Sequence, residues 1–454
     1  MSASPRLPVV LATSNGVGMG HLTRQLAVAL SGEPLDVTLL SLSGAVPTVA
    51  RAAADGRLPG ASRVRFEYCP SRTSPWQGSG PALVAWRTAW DAYFADRLRL
   101  LVAETGARVV AYDGVVPYAG LLAARRALPS TAFVWVRRGM WRPGVGADRV
   151  ALGERFEAVV EPGDLAATSD AGATVGAPGV VRTAPVSLTS AVPPVDRARA
   201  RAALGLDPDR PALLLAPGSG AYADVSTLVA AVLDQLAHEA PEWQVAVTRQ
   251  AIARRRDDAT GAADDGRVVV LDDVYPLSRH LAAFDAAVGA AGYNAVHEHA
   301  AVGLPTLLVP STAHETDDQV ARAHGLARLG AALVADGEGD LERGMRQLLD
   351  PDVRVALRDA ALLLPAAIGA RDVARALLEV GAGRPEPTWP DRVGPPPWRR
   401  VVGTPLARRR GRPEVVEDVT GLDARGPQPV EHLVAGSSRR YREQRAAAAR
   451  WLYA

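Results

Sequence analysis

Two successive series of short apolar runs, each run separated from the next by a helix-like stretch, constrain this chain more than any other feature. The first series opens PVVLAT (8–13), crosses a glycine-rich loop and starts a helical pattern near His21. It continues through DVTLLSL (36–42), RVRFEY (63–68), a long helical pattern over 81–104, ARVVAYDG (107–114) and STAFVWVRRG (130–139). The second opens PALLLAPGSG (211–220) and continues WQVAVT (243–248), RVVVLDD (267–273), FDAAVGAAG (284–292), PTLLVP (305–310) and AALVAD (331–336). Such alternation predicts parallel strands with helices on both faces of the sheet. Each series is long enough for a sheet of its own. The expected fold class is therefore α/β, with two doubly wound, Rossmann-like domains facing a cleft.

The boundaries follow from composition. Residues 1–187 form the first domain. VRTAPVSLTSAVPPVDRARAR, rich in Pro, Ser and Thr, marks a linker over 188–210. Residues 211–380 form the second domain. Residues 381–454 are rich in proline and arginine, without sustained periodicity, and read as an extended arm. The closing SRRYREQRAAAARWLYA has strong helix formers and reads as a terminal helix.

Composition excludes several classes of activity. All 51 basic residues are arginine. A phosphate-binding P-loop needs its lysine and a pyridoxal enzyme its Schiff-base lysine, so neither is available. Cys69 is the single cysteine, which rules out an intrachain disulfide and a cysteine zinc site. The net charge is +2, so no nucleic-acid surface is indicated. No apolar run reaches the ~20 residues that span a bilayer, and the N-terminal apolar stretch is too short for a signal peptide. A cytoplasmic protein is expected.

Doubly wound sheets place ligands at the C-terminal ends of their strands. The first such loop has the spacing Gly16-x-Gly18-x-Gly20 followed by His21. It is not the G-x-G-x-x-G of a dinucleotide fold, and the next strand ends in Ser41 and Ser43 instead of a carboxylate. Its glycines allow close approach of a ligand, and His21 sits at the first turn of the helix as a candidate base or a simple turn cap. Asp113 ends a strand on the same rim. It can hydrogen-bond one ring nitrogen of a histidine and leave the other as the base, or it can cap the next helix. In the second domain Gly218, Ser219 and Gly220 lead from a strand into a helix, a setting that suits an anion.

The most specific stretch is 288–330. A helix beginning near Gly292, Tyr293 and Asn294 would offer its amides to a diphosphate. Glu298, one turn further in, could accept from ribose hydroxyls. Asp318 and Gln319 pair a carboxylate with an amide, which suits sugar hydroxyls that both donate and accept. His297 and His299 are two apart and point to different sides of a helix, so with His314 they are not expected to hold a metal. Arg137 and Arg138 follow a strand and could bind an acceptor phosphate. Trp86, Trp90, Tyr93, Phe94, Arg97 and Leu101 follow helical spacing. Such a stripe is core or, if exposed together with Trp76, a contact for a membrane surface or lipid-linked acceptor.

These residues resemble the nucleotide-sugar glycosyltransferases of the GT-B fold. AAGYNAVHE is similar to the donor motif of the UDP-dependent enzymes, whose plant version reads HCGWNSxxE. The stretch GAAGYNAVHEHAAVGLPTLLVP…DDQVARA also resembles the peptidoglycan lipid-linked N-acetylglucosaminyltransferases and their family 28 C-terminal domain. The resemblance implies an inverting, metal-independent transferase that needs no cofactor beyond a nucleotide-sugar co-substrate, a UDP-sugar by default. Gly292 and Asn294 would contact the donor diphosphate within a motif that includes Tyr293, with Gly218 to Gly220 closing over it. Glu298 would hold the ribose, Asp318 and Gln319 the donor sugar, and the loop from Asp273 to Leu277, with Val274 and Tyr275, the base. His21 would be the catalytic base, oriented by Asp113, with Gly18 and Gly20 on the acceptor side of the cleft.

Two departures matter. Ala290 stands where the plant motif has its leading histidine, and Ala295 where it has serine. The diphosphate would then depend on backbone amides or on an arginine such as Arg322. The acceptor is expected to be a glycan of the cell envelope, a lipid-linked sugar or a small molecule, reached in the cytoplasm or peripherally at the inner face of the plasma membrane. Three rival readings differ in what they would do. A nucleotide-sugar hydrolase of sialic-acid-like pathways shares the start Gly20-His21-Leu22-Thr23-Arg24. A nucleotide-sugar 2-epimerase shares the fold. A degenerate GT-B binding protein would carry no chemistry.

Overall fold

The computed structural model describes residues 5–14, 18–72, 80–218, 225–249, 266–272 and 274–385. The chain divides into two compact units, Met1–Pro75 with Trp90–Arg392, and Trp76–Ala89 with Val393–Ala454. Of the second, the described part is residues 80–89, within the first turns of the helix Pro81–Thr105. Both sheets lie in the first unit.

The first sheet has seven parallel strands: β1 (Leu7–Thr13), β2 (Leu35–Ser41), β3 (Arg65–Tyr68), β4 (Val109–Asp113), β5 (Ala132–Val136), β6 (Ala158–Pro162) and β7 (Val180–Thr183). Their order is β3-β2-β1-β4-β5-β6-β7. The second has six parallel strands: β8 (Ala212–Ala216), β9 (Gln244–Arg249), β10 (Val268–Asp272), β11 (Ala286–Gly289), β12 (Thr306–Leu308) and β13 (Leu333–Val334), in the order β10-β9-β8-β11-β12-β13. In both sheets the strand order reverses beside the first strand, between β1 and β4 and between β8 and β11. Those two crevices are where doubly wound folds bind ligands. The register sets Thr13 opposite Asp113 and Ala216 opposite Gly289. A Cβ on Gly289 would lie 2.6 Å from the Ala216 carbonyl oxygen, so only glycine lets β8 and β11 approach this closely.

Sequence and structure differ at three places. Strands β6 and β7 extend the first sheet beyond the five expected. β7 is a short, half-exposed edge strand, VVRT, that lacks the buried apolar run of a central strand. The expected linker contains the helix Arg197–Leu204. Asp196 caps it by accepting from the Arg199 amide, and Gly205, with φ +70°, ends it. Ala200, Leu204 and Leu206 pack with Leu214 of β8 and Ala287 of β11, so this helix belongs to the second domain. Conversely, the helix Gly369–Gly381 falls inside the sequence span assigned to the second domain but packs on the first sheet, where Val373, Ala374 and Leu377 meet Leu7, Val9 and Val109. Gly369 is obligatory there, since an added Cβ would meet the Ala184 carbonyl oxygen at 1.8 Å.

In the helix Pro81–Thr105 the aromatic stripe is core only in part, and Trp86 is half-buried. Trp90 and Phe94 are buried and stack at 5.0 Å, and the Trp90 indole donates to the Pro70 carbonyl at 2.8 Å. Leu101 is buried beneath them, whereas Tyr93 is exposed and Arg97 pairs with Glu67. Trp90 and Phe94 are therefore not available to a membrane surface. Trp76 and the arm beyond residue 385 lie outside the described residues. Among the described residues no helix is long and apolar enough to cross a membrane.

Candidate active site

His21 is the second residue of the helix Gly20–Ala29, which follows β1, and Asp113 is the last residue of β4. Because β1 and β4 are neighbours, the two side chains meet: His21 Nδ1 lies 2.6 Å from Asp113 Oδ1. Arg24, one helical turn beyond His21 and on the same face, closes on the carboxylate with two bonds. Its Nε donates to Oδ2 at 3.0 Å and its Nη2 to Oδ1 at 2.6 Å. Nη2 also lies 2.8 Å from His21 Nδ1. Asp113 is ionised and can only accept, so at 2.6 Å Nδ1 must carry the proton, and its closeness to Nη2 reflects two donors sharing Oδ1. Nδ1–H donates to the carboxylate and Nε2 keeps its lone pair. Nε2 has no hydrogen-bond partner among the described residues. Asp113 and Arg24 are buried, while His21 keeps some exposure.

Charge in this cluster is balanced. Burial alone would push the Asp113 carboxyl up; the Arg24 charge, followed by that of His21, overcomes it and holds it at about 2. For His21, burial disfavours the imidazolium, Asp113 opposes that effect, and the charges of Arg24 and Arg138 add to it, so its pKa lies below the ordinary histidine value. A histidine that is neutral at pH 7 with one ring nitrogen presented to the cleft is poised to accept a proton. Gly18 and Gly20 leave open space, with no atom within 4 Å of an added Cβ.

The second domain reaches the same helix. The helix Tyr293–Ala301 starts at Gly292, whose lack of a side chain leaves the first amides without an N-cap bond. Asn294 Nδ2 donates to the Gly20 carbonyl at 3.2 Å, and its buried Oδ1 has no partner among the described residues. Tyr293 is committed to the protein. Its hydroxyl donates to the Gly163 carbonyl at 2.8 Å and accepts from the Val186 amide at 2.9 Å. Its ring lies 5.1 Å from the Arg24 guanidinium carbon and 6.0 Å from that of Arg138. Its side chain is a strut between the domains. Tyr275 acts similarly: its hydroxyl is 3.2 Å from Thr23 Oγ1, and its carbonyl accepts from Arg57 at 2.9 Å. Val274 packs partly buried in the second core. Glu298 is half-buried, has no hydrogen-bond partner among the described residues, and is raised to about 8 by burial.

Other expected contacts fall elsewhere. Arg322 is fully buried. Its Nε donates to Asp164 at 2.7 Å, one terminal nitrogen to Asp317 at 3.0 Å and the other to the Ala291 carbonyl at 3.0 Å. It is thereby bound to protein partners and is not offered to a diphosphate. Asp317, not Asp318, faces this cluster and also pairs with Arg138 at 3.3 Å. Asp318 caps the next helix by accepting from the Ala321 amide. Gln319 is buried, accepts from the Ser311 amide at 3.0 Å and donates to Asp317 at 3.3 Å. Arg137 and Arg138 diverge, as adjacent residues beyond a strand do. Arg137 is buried against Glu161 at 3.0 Å, and only Arg138 turns toward His21 and Asp317. His297 bonds the Leu165 amide and the Tyr293 carbonyl, and His299 the Thr306 hydroxyl. Gly218 (φ +103°) approaches Ala290; Ser219, Gly220 and Asp273 lie outside the described residues.

Sequence reasoning placed Arg24 only in the Gly-His-x-x-Arg start of a rival reading, gave it no role beside His21, and missed Asp164 and Asp317. A signal existed for Arg24, which lies three residues from His21 on one helix face. None existed for Asp164, whose partner is 158 residues away.

Two Rossmann-like sheets whose switch-point loops meet around a histidine–aspartate pair and an uncapped helix start define a glycosyltransferase of the GT-B type. Residues 213–354 match the model of the glycosyltransferase family 28 C-terminal domain. The chain is 33% identical over 293 residues to the UDP-N-acetylglucosamine–N-acetylmuramyl-(pentapeptide) pyrophosphoryl-undecaprenol N-acetylglucosamine transferase of Acidothermus cellulolyticus, covering 62% of this chain and 73% of that one. Among solved structures it is similar in fold to CalG4, the calicheamicin glycosyltransferase, with a TM-score of 0.54 at 16% identity over 84% of this chain and all of that one. MurG of Acinetobacter baumannii gives 0.50 at 16% identity, over 82% and 99%. The chain belongs to the glycosyltransferase family 28 transferases.

Proposed function

We propose that the enzyme is an inverting, metal-independent transferase that moves a sugar from a UDP-sugar to a hydroxyl acceptor. The Acidothermus relative, named for a UDP-N-acetylglucosamine donor and an undecaprenol-linked acceptor, makes UDP-N-acetylglucosamine and a lipid-linked sugar the first pair to assay. The observation that carries the reading is the 2.6 Å His21–Asp113 bond, which leaves Nε2 without a partner among the described residues, on the rim shared with Gly292–Asn294. Nε2 takes the acceptor hydroxyl proton as that oxygen bonds the anomeric carbon. The bond from that carbon to the diphosphate oxygen breaks, and UDP leaves with the electron pair. Asp113 steadies the imidazolium. The helix-start amides at Gly292–Asn294 meet the charge growing on the diphosphate, a task that needs no metal in this reading. Glu298, unpartnered and half-buried, suits the ribose hydroxyls.

The test is His21→Ala. Turnover should fall ~10²–10⁴-fold while UDP affinity, read by calorimetry, is kept. Product analysis should show inverted anomeric configuration, and activity should persist in chelator. Turnover within threefold of wild type would remove His21 as the base. UDP release at an undiminished rate without any acceptor would make the enzyme a hydrolase.

A further inference from the structure

Arg24 stands outside the donor and acceptor contacts proposed above, yet it makes the most extensive contact with the histidine–aspartate pair. It bonds both oxygens of Asp113, at 3.0 and 2.6 Å, from a position almost wholly buried. A lone buried Asp113 beside His21 would leave the cluster one negative charge in excess, and a buried cluster in that state takes up a proton. The proton would go to the imidazole or to the carboxylate, and either outcome removes the base. With Arg24 in place the three groups sum to zero while His21 is neutral.

We propose that Arg24 is a positioning residue for the base: it squares the Asp113 carboxylate and cancels its charge, so that His21 rests neutral with Nε2 presented, and Tyr293 of the second domain holds Arg24 in place. The proposal rests on the reading of His21 as the base. Among the described residues, the charged and titratable groups facing His21 are few. Its own helix supplies Arg24, β4 supplies Asp113, and the segment after β5 supplies Arg138. The neighbouring second-domain tyrosines, Tyr293 and Tyr275, are both pushed well above the ordinary range by burial and stay neutral. Arg138 cannot replace Arg24, because its nearest carboxylate is Asp317 at 3.3 Å. The Tyr293 ring, 5.1 Å from the Arg24 guanidinium carbon, is fixed at its hydroxyl by Gly163 and Val186. The brace therefore reaches the base from the domain that would bind the donor.

The experiment is the pH profile of kcat/KM for sugar transfer by full-length wild type, Arg24→Met and Arg24→Lys, with UDP affinity and thermal unfolding measured for each. Arg24→Met should move the acid limb upward by ~1 pH unit or more, so that activity lost at pH 7 returns on the alkaline side. Arg24→Lys keeps the charge and should leave the limb in place while lowering kcat, because one ammonium cannot span both oxygens. A uniform loss at every pH with an unmoved limb in Arg24→Met would overturn the proposal. That result differs from failure of the base reading, in which His21→Ala itself stays active. If Arg24→Met does not fold, Arg24→Gln takes its place, and proton NMR follows the imidazole, assigned with His21→Asn. A midpoint raised above that of the wild type supports the proposal, and an unchanged midpoint overturns it.

Discussion

Replacing Arg322 by methionine removes the centre of a buried ion network that ties the two domains together. The Arg322 side chain is fully buried, and those of Asp164 and Asp317 are 5% and 8% exposed. Asp317 keeps a second cation, Arg138, but Asp164 loses its one ion-pair partner among the described residues and retains the Ala166 amide, with His297 nearby. Breaking a buried pair on one side costs about 3–5 kcal/mol, because it leaves an uncompensated charge. Methionine restores the packing of the stem, so a loss of about 4 kcal/mol at pH 7 is expected. In the wild type Asp164 and Asp317 are both held below the ordinary carboxylate value: burial opposes this, and the arginines prevail. Their contribution is complete above the unfolded value of ~3.9 and is lost as pH falls through the lower folded values. In the variant Asp164 sits instead above its unfolded value, so the native state binds one proton more than the unfolded state. Stability then falls as pH rises, by about 1.4 kcal/mol per unit until the raised value is passed. Urea unfolding followed by tryptophan fluorescence from pH 5 to 8 should show the deficit growing with pH. A deficit below about 1 kcal/mol with no pH dependence would mean that Asp164 is hydrated and the domain contact is open in solution.

Glu298, raised to about 8 by burial, is protonated at pH 7 in the free enzyme and should ionise when ribose hydroxyls donate to it. UDP binding by calorimetry in buffers of different ionisation enthalpy should therefore release close to one proton, and Glu298→Gln should abolish that release; an equal release from both proteins would refute the assignment. Gly369→Ala drives a Cβ to 1.8 Å from the Ala184 carbonyl oxygen. It should cost about 1–3 kcal/mol or more, read as a lower Tm, and an unchanged Tm would refute the packing of this helix on the first sheet.

The central strands were legible because β1, β4, β5 and β8 are nearly continuous apolar runs, a pattern that burial on both faces produces. β7 was not, since half of an edge strand's surface faces solvent and its residues need not be apolar. The His21–Asp113 pair could be anticipated because both residues end on the same rim of one sheet. Their contact depends on β1 and β4 being neighbours, which is a property of strand order. Asp318 and Gln319 show the limit of motif transfer. The Asp-Asp-Gln segment carries two carboxylates, and the one turned inward is Asp317, because Asp318 is used by its own helix as a cap. The roles of Arg322 and Asp164 follow from docking between domains, for which a single sequence holds no local signature.

The ten-residue helix after β1 joins these threads. At 3.6 residues per turn, Gly20, Thr23 and Arg24 fall on one side with His21 at its margin, and Leu22 and Leu26 fall opposite, in the core of the first sheet. The polar side meets the second domain three times: Asn294 at Gly20, Tyr275 at Thr23 and Tyr293 at Arg24. These come from two loops expected to hold the diphosphate and the base of the donor. The face that presents the candidate base is therefore also the face on which the domains dock. Were the second domain to rotate as a body, pulling Tyr275 from Thr23 would also draw Tyr293 away from Arg24. Arg24 would then lose its brace and Asp113 its fixed partner. In this chain the spacing Gly-His-Leu-Thr-Arg puts the candidate base and the docking contacts of the second domain on one helix face.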